Sequence, residues 1–359
     1  MTHPKSYKAY AFTEKGGDLK PITFDWHDPE PGEVIVKVIA CGVCARFLPP
    51  LGMRADRDTP ESSSSSWTDE AAKYGVLPGA KFPIVPGHEI VGDVVAIPPT
   101  EKKWKVGQHV GGGWHGGHCH TCERCSVGDF VTCQKEDING VFRHGGYAEY
   151  VTLRTEAVVA LPDGMDPAEV APLMCAGVTT FNSLRNMTCK PPQFVAVQGI
   201  GGLGHLGIQF AKAMGFRVVA LSSSPAKAEL ARELGAEVYL DGSKVNQAEA
   251  LQQLGGASLI MCTAPNQEVI RGLLPGLAVN GELLILALTD ETTLPLMSLI
   301  QKRTSIRGWP SGVAADSEDC VKFAKANGVK TMVTKFPLDK AQEAYDHRGS
   351  ARFRAVVMP

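Results

Sequence analysis

No apolar run in this 359-residue chain is long enough to cross a bilayer. The N-terminal "MTHPKSYKAYAF" lacks the apolar h-region of a secretory signal. Together these absences make a cytoplasmic protein the expectation. Excess charge is missing too: 36 Lys and Arg stand against 38 Asp and Glu, a formal net charge of −2. A balance so even leaves no electrostatic footprint for nucleic acid or an anionic membrane surface, so neither is expected as a partner. Internal repeats are absent. The one low-complexity piece is "ESSSSSW" (61–67), inside a polar stretch from about 53 to 75 that reads as an exposed, mobile loop.

What is present suits two domains of ordinary size. The first 150 or so residues are rich in Gly, Pro and Val, with short strand-like runs such as "EVIVKVIA" and "EIVGDVVAI" between turn signals. From about residue 160 the texture changes. "FVAVQGIGGLGHLGIQFAKAMG" reads strand, glycine turn, helix; "RVVALSSS" and "PAKAELARELG" read strand and helix; "LIMCTA" and "ELLILAL" read as further buried strands. Alternating strand and helix implies an α/β unit with a doubly wound parallel sheet.

"GIGGLG" supplies Gly199, Gly201 and Gly204 in the G-x-G-x-x-G pattern, with Gly202 between them. The pattern is weak alone, because glycine turns are common. Here it follows a strand and opens a helix, the context in which a pyrophosphate sits on the helix N-terminus. An NAD-binding protein would place an acid about twenty residues on. This chain has Ser222, Ser223 and Ser224, then Lys227. With no carboxylate to repel a 2′-phosphate, hydroxyls and an ammonium favour NADP(H), although a serine-capped strand-to-helix loop is the plainer reading.

"CHTCERCSVGDFVTC" gives Cys119, Cys122, Cys125 and Cys133, a spacing that suits a closed, structural four-thiolate zinc site. In a reducing compartment such a cluster more often means metal than cross-links. His118 and His120 flank it and are expected at the surface. Three further elements invite attention: "CGVC" with Cys44, "PGHE" with His88 and Glu89, and "APLMCAGVTTF" with Cys175. Two thiolates and one imidazole would leave one coordination position open for substrate. Taken singly, Cys175 in a helical apolar run is more usually a small core residue.

The order and spacing of "CGVC", "PGHE", "WHGGHCHTCERCSVGDFVTC", "GGYAEY", "APLMCAGVTTF", "GIGGLGHLGIQFAKAMG" and "ARFRAVV" resemble the zinc-containing medium-chain alcohol dehydrogenases over nearly the whole chain. "SSSPAK" is similar to the phosphate-binding segment of the NADPH-dependent cinnamyl alcohol dehydrogenase branch. The resemblance implies a GroES-like, β-rich catalytic domain (1–159, rejoined by 311–359) around a Rossmann cofactor domain (160–310). It implies catalytic zinc on Cys44, His88 and Cys175, the ligand set known for alcohol dehydrogenase, with Glu89 able to approach the metal. Trp114 would line the substrate pocket and Arg354 would reach the cofactor pyrophosphate. Cys41, Cys189, Cys262 and Cys320 match no ligand position and are expected in the core.

Two departures accompany the resemblance. Relatives place Ser or Thr two residues after the first zinc ligand, to pass a proton, and Asp at the third, to hold the zinc-bound imidazole. Here those positions are Arg46 and Phe47, and the relay His sometimes found further on would fall near Pro49. Guanidinium does not release its proton in proteins, and phenyl accepts no hydrogen bond. The segment between Cys44 and His88 is also longer than is typical. This insertion, about 48–80, could cover the pocket, lend an acid (Asp56, Asp58, Glu61 or Asp69) or hang in solvent. The expectation is a zinc-dependent NADP(H) oxidoreductase acting on an aldehyde or ketone, with a small-molecule substrate and a homo-oligomeric state, dimer or tetramer. An NADPH-dependent reductase of a conjugated C=C or C=N bond, or a non-catalytic NADPH-binding protein, are the alternatives.

Overall fold

The computed structural model describes residues 3–44, 69–287, 293–347 and 353–359. Expectations placed on Arg46, Phe47, Pro49, Asp56, Asp58, Glu61 and the serine run lie outside the described residues.

Six strands, Phe194–Gln198, Arg217–Ser222, Val238–Asp241, Ala257–Cys262, Leu277–Ile285 and Ser305–Gly308, form an all-parallel sheet. Numbered along the chain, they lie in the order 3-2-1-4-5-6, that of a doubly wound dinucleotide-binding sheet. Their near-continuous apolar runs follow from burial on both faces. Side chains alternate across a strand. Val195, Val197, Val218, Ala220, Leu259 and Met261 therefore enter one core, while Ala196, Val219, Leu221, Ile260 and Cys262 enter another on the opposite face. The strand order reverses between Phe194–Gln198 and Ala257–Cys262, and the glycine-rich loop leaves the sheet at that point, where ligands bind in open α/β sheets.

The second sheet has the order Val333–Pro337, Arg354–Met358, Glu33–Val43, Ile90–Ala96, His109–Gly112, Val158–Ala160, with Tyr150–Arg154 also paired to Glu33–Val43. Its pairings are antiparallel except the first, which is parallel. Ala355 stands opposite Val43, so chain on both sides of the parallel sheet builds this one. Phe12, Trp104, Tyr147 and Leu153 fill its core. This is the GroES-like fold beside a Rossmann fold.

The polar stretch expected to be exposed ends otherwise. Asp69–Tyr74 is a short helix whose Asp69, Glu70, Ala71 and Ala72 are buried, the two alanines packing into the core of this second sheet. Cys41, Cys189, Cys262 and Cys320 are buried free thiols, as expected of core residues. Among the described residues no helix is long and apolar enough to cross a membrane.

Candidate active site and metal centres

Strand pairing explains how distant residues converge. Cys41 is in register with Ile90, and the Gly42 amide donates to the Glu89 carbonyl at 2.9 Å. The chain just past the end of one strand, Cys44, thus meets the chain just before the start of its neighbour, His88 and Glu89. Gly42 is required by this packing, since a Cβ there would lie 1.8 Å from Glu89 Oε2. Cys175 arrives from the other side, immediately ahead of the helix Ala176–Arg185.

Donor atoms of Cys44, His88, Glu89 and Cys175 all lie within 4.8 Å of one another, and all four residues are buried. The two sulfurs are 3.7 Å apart. Burial, with the Cys175 contact adding, pushes the Cys44 thiol up to about 12, against the pull of the Arg354 charge. Burial lowers His88, but the Cys44 thiol and the carboxylates of Asp69 and Glu89 outweigh it, and the imidazole is raised overall. Glu89 is raised well above the carboxylate range by burial. A soft divalent cation fits this donor set: it would replace the thiol protons that burial otherwise retains.

Three neighbours complete the surroundings. Trp114 is half-buried and sets its ring edge-on to His88, centroids 5.0 Å apart. Asp69 Oδ1 lies 3.6 Å from His88 Nδ1, while its Oδ2 accepts from the Cys44 amide at 3.2 Å and the Tyr147 hydroxyl at 2.7 Å. Arg354 donates from Nη1 to Cys44 Sγ at 3.4 Å and has Nη2 3.2 Å from Glu89 Oε1. The same guanidinium borders the glycine loop, where a methyl on Gly202 would lie 3.6 Å from its Cζ. The resemblance implies Arg354 at a cofactor pyrophosphate; the structure puts it between that loop and the sulfur cluster.

In the loop, Gly199 has φ +85°, and a Cβ on Gly204 would fall 1.7 Å from the Gly199 carbonyl oxygen. Only glycine lets the helix Gly204–Ala213 start this close to the strand, which leaves room for an anion at its N-terminus. The His205 amide bonds the Gly201 carbonyl at 3.0 Å. Ser222 is half-buried and Ser223 exposed at the end of the neighbouring strand, and Ser224 caps Ala226. Lys227 is not free in solvent: its ammonium donates to the Ile200 carbonyl at 2.9 Å, spanning the mouth of the loop. A carboxylate does approach the serines. Asp241 is in register with Ser222, but its Oδ1 accepts from the Ser243 hydroxyl at 2.7 Å and amide at 3.0 Å.

The four-cysteine lobe closes as its spacing predicts. The sulfurs of Cys119, Cys122, Cys125 and Cys133 lie within 4.8 Å of one another, a fit for a tetrahedral thiolate site. Backbone and hydroxyl donors of Thr121 lower Cys119 to about 5, and the amides of Cys119 and Lys135 point at Cys133 Sγ. His120 is exposed as expected. His118 is a correction: it is buried, sandwiched against the Phe130 ring at 4.1 Å, with Nδ1 3.2 Å from His115 Nε2. Its "HCH" context carries no signal of that stacking.

The chain matches two family models, an alcohol dehydrogenase GroES-like domain over residues 30–163 and a zinc-binding dehydrogenase over 202–326. Alcohol dehydrogenase patD of Penicillium expansum is 45% identical, covering 99% of this chain and 98% of its own. Alcohol dehydrogenase notN of Aspergillus sp. (strain MF297-2) is 43% identical over 99% of each. The solved cinnamyl alcohol dehydrogenase SbCAD4 of Sorghum bicolor has a TM-score of 0.81 at 27% identity, covering 99% of this chain and 98% of that one. Whole-length likeness of sequence and fold, joined to a thiol-imidazole cluster facing a glycine-rich loop, places the chain in the zinc-containing medium-chain alcohol dehydrogenase family of oxidoreductases.

Proposed function

We propose that the protein transfers hydride reversibly between NADPH and an aldehyde or ketone at a zinc held by Cys44, His88 and Cys175. The observation that supports this is Arg354, whose one guanidinium borders Gly202 of the cofactor loop and touches Cys44 of the donor cluster. Cofactor and metal then lie one side chain apart. When bound, zinc supplies Lewis acidity toward a carbonyl oxygen and the nicotinamide supplies the hydride.

The chain's own residues do the positioning. Arg354 donates to the Cys44 sulfur, lies against Glu89 Oε1 and keeps both beside the cofactor. Trp114, edge-on to His88, walls the substrate side of the imidazole. Ser222 and Ser223 offer hydroxyls where an acid would exclude a 2′-phosphate, and Lys227 adds positive charge nearby. The catalytic unit is 1–159 with 311–359, the cofactor unit 160–310, and the four cysteines hold a second, structural zinc. A second copy would cover Leu296, Met297 and Ile300, which are 64%, 63% and 75% exposed beside the edge strand Ser305–Gly308.

The test supplies deuterium-labelled NADPH to the zinc-loaded protein with aldehydes, ketones, enals and imines in turn. Deuterium on the carbinol carbon is expected. Deuterium appearing instead on a saturated former C=C or C=N carbon would replace this reading with its alternative. No transfer to any of them, with NADPH still bound, would leave a binding protein.

A further inference from the structure

The resemblance implies a carboxylate three residues after Cys44, to steady the metal-binding imidazole, and in this chain that position is Phe47. We propose that Asp69, delivered from the far side of the inserted segment by the helix Asp69–Tyr74, is the positioning residue for His88. The inference rests on the reading of Cys44, His88 and Cys175 as zinc ligands.

Its geometry is that of a clamp between two ligands. One carboxylate oxygen accepts the Cys44 amide and the Tyr147 hydroxyl; the other faces His88 Nδ1 at 3.6 Å. Asp69 thus holds the backbone of one donor and the ring of another, and fixes their relative placement. With Nδ1 turned to a carboxylate, a neutral imidazole would carry its proton there and leave Nε2 as the metal donor. Asp69 is only 1% exposed, and an isolated carboxylate at that depth is costly unless it is paired. Two hydrogen-bond donors, the Cys44 amide and the Tyr147 hydroxyl, answer that cost, with His88 Nδ1 in ion-pair range of the second oxygen.

The helix is anchored independently, so the placement of Asp69 is enforced. Ala71 and Ala72 pack in the catalytic core, the Tyr345 hydroxyl donates to Glu70 at 3.5 Å, and Lys73 lies over the Tyr345 and Phe12 rings at 5.3 and 5.9 Å. A helix six residues long gains little from its own hydrogen bonds. Tertiary packing holds it, and that packing aims its first residue at the donor cluster. The insertion thereby restores, from 25 residues beyond Cys44, a carboxylate that the local sequence lacks.

Asp69→Asn tests this with the fold kept. An amide offers an acceptor on one side only, so either orientation sets N–H against N–H, at His88 or at Cys44. Zinc is counted by elemental mass spectrometry during titration with a chromogenic chelator, with melting temperature recorded alongside. The unmodified protein should hold two zinc ions. D69N should keep the four-cysteine zinc unchanged and release the other at about 10- to 100-fold lower chelator concentration. Release from both sites at unmodified chelator levels would make Asp69 a merely structural acid and overturn the proposal. A single zinc in the unmodified protein would instead overturn the ligand reading itself, and this inference with it. Should D69N not fold, histidine-labelled nitrogen NMR of the unmodified zinc-loaded protein decides. A solvent-protected proton on His88 Nδ1 supports the proposal, and its absence refutes it.

Discussion

His205, in the first turn of the helix after the glycine loop, predicts how stability responds to acid. Its ring is 1% exposed, stacks on Phe353 at 4.7 Å and has Nδ1 2.9 Å from the Gly201 carbonyl. Burial above all, opposed by the Gly201 carbonyl and reinforced by the Arg354 charge, lowers it to about 4. An unfolded histidine titrates near 6.5. Between those values the unfolded chain binds a proton that the folded chain refuses, so stability is full above the unfolded value and falls as the pH drops toward 4. From pH 7.5 to 5.0 the loss assigned to this ring is about 2 kcal/mol. With about 2.1 cal/mol/K of unfolding entropy per residue, the whole chain would melt about 3 °C lower. Other acid-sensitive groups, His115 among them, remain in a His205→Gln variant and cancel in the comparison. The measurement is therefore the melting temperature of unmodified protein and H205Q at both pH values. H205Q should start less stable, having lost the stacking, yet decline about 3 °C less between pH 7.5 and 5.0. Equal declines in the two proteins would refute the assignment.

Replacing Ser222 by Asp should turn the cofactor preference from NADPH toward NADH by tenfold or more, about 1.4 kcal/mol of differential binding, read as the ratio of the two kcat/KM values; an unmodified protein equally efficient with both would contradict the serine argument. Cys122→Ser should remove one zinc per chain and open the 119–133 lobe to proteolysis, because structural metal binding and local folding are coupled; unchanged zinc content would reject the four-thiolate site.

Local patterns carried most of the site into view. The glycine loop, the four-cysteine spacing and the "CGVC" and "PGHE" pairs are short stretches whose chemistry depends on immediate neighbours, and they converge as their types suggest. What stayed hidden depends on packing between segments far apart. Asp69 was legible only as one of four acids the insertion could lend; its polar stretch has no helical period to single it out, and its burial comes from Tyr147 and the alanines docked beside it. His118 looks like a surface residue until Phe130 and His115 close over it. Lys227 was legible as a cation near the cofactor, but not its tie to the Ile200 carbonyl across the loop. Arg354 was legible through resemblance, while its contact with Cys44, 310 residues away, arises only from the strand pairing of Ala355 with Val43.

That pairing sets an order of events as the chain leaves the ribosome. The four-cysteine lobe is complete once residue 133 has emerged, and all four of its proposed zinc ligands lie in one short, local loop. The donor cluster has no such freedom. It needs Cys44, His88 and Cys175, and its neutralising arginine waits for the strand Arg354–Met358, made after the entire parallel sheet. Closing contacts over such separations is slow, so on the two-zinc proposal the two metals would be acquired at different times. When zinc is scarce during synthesis, chains should accumulate with the lobe filled and the cluster of Cys44, His88 and Cys175 still without metal.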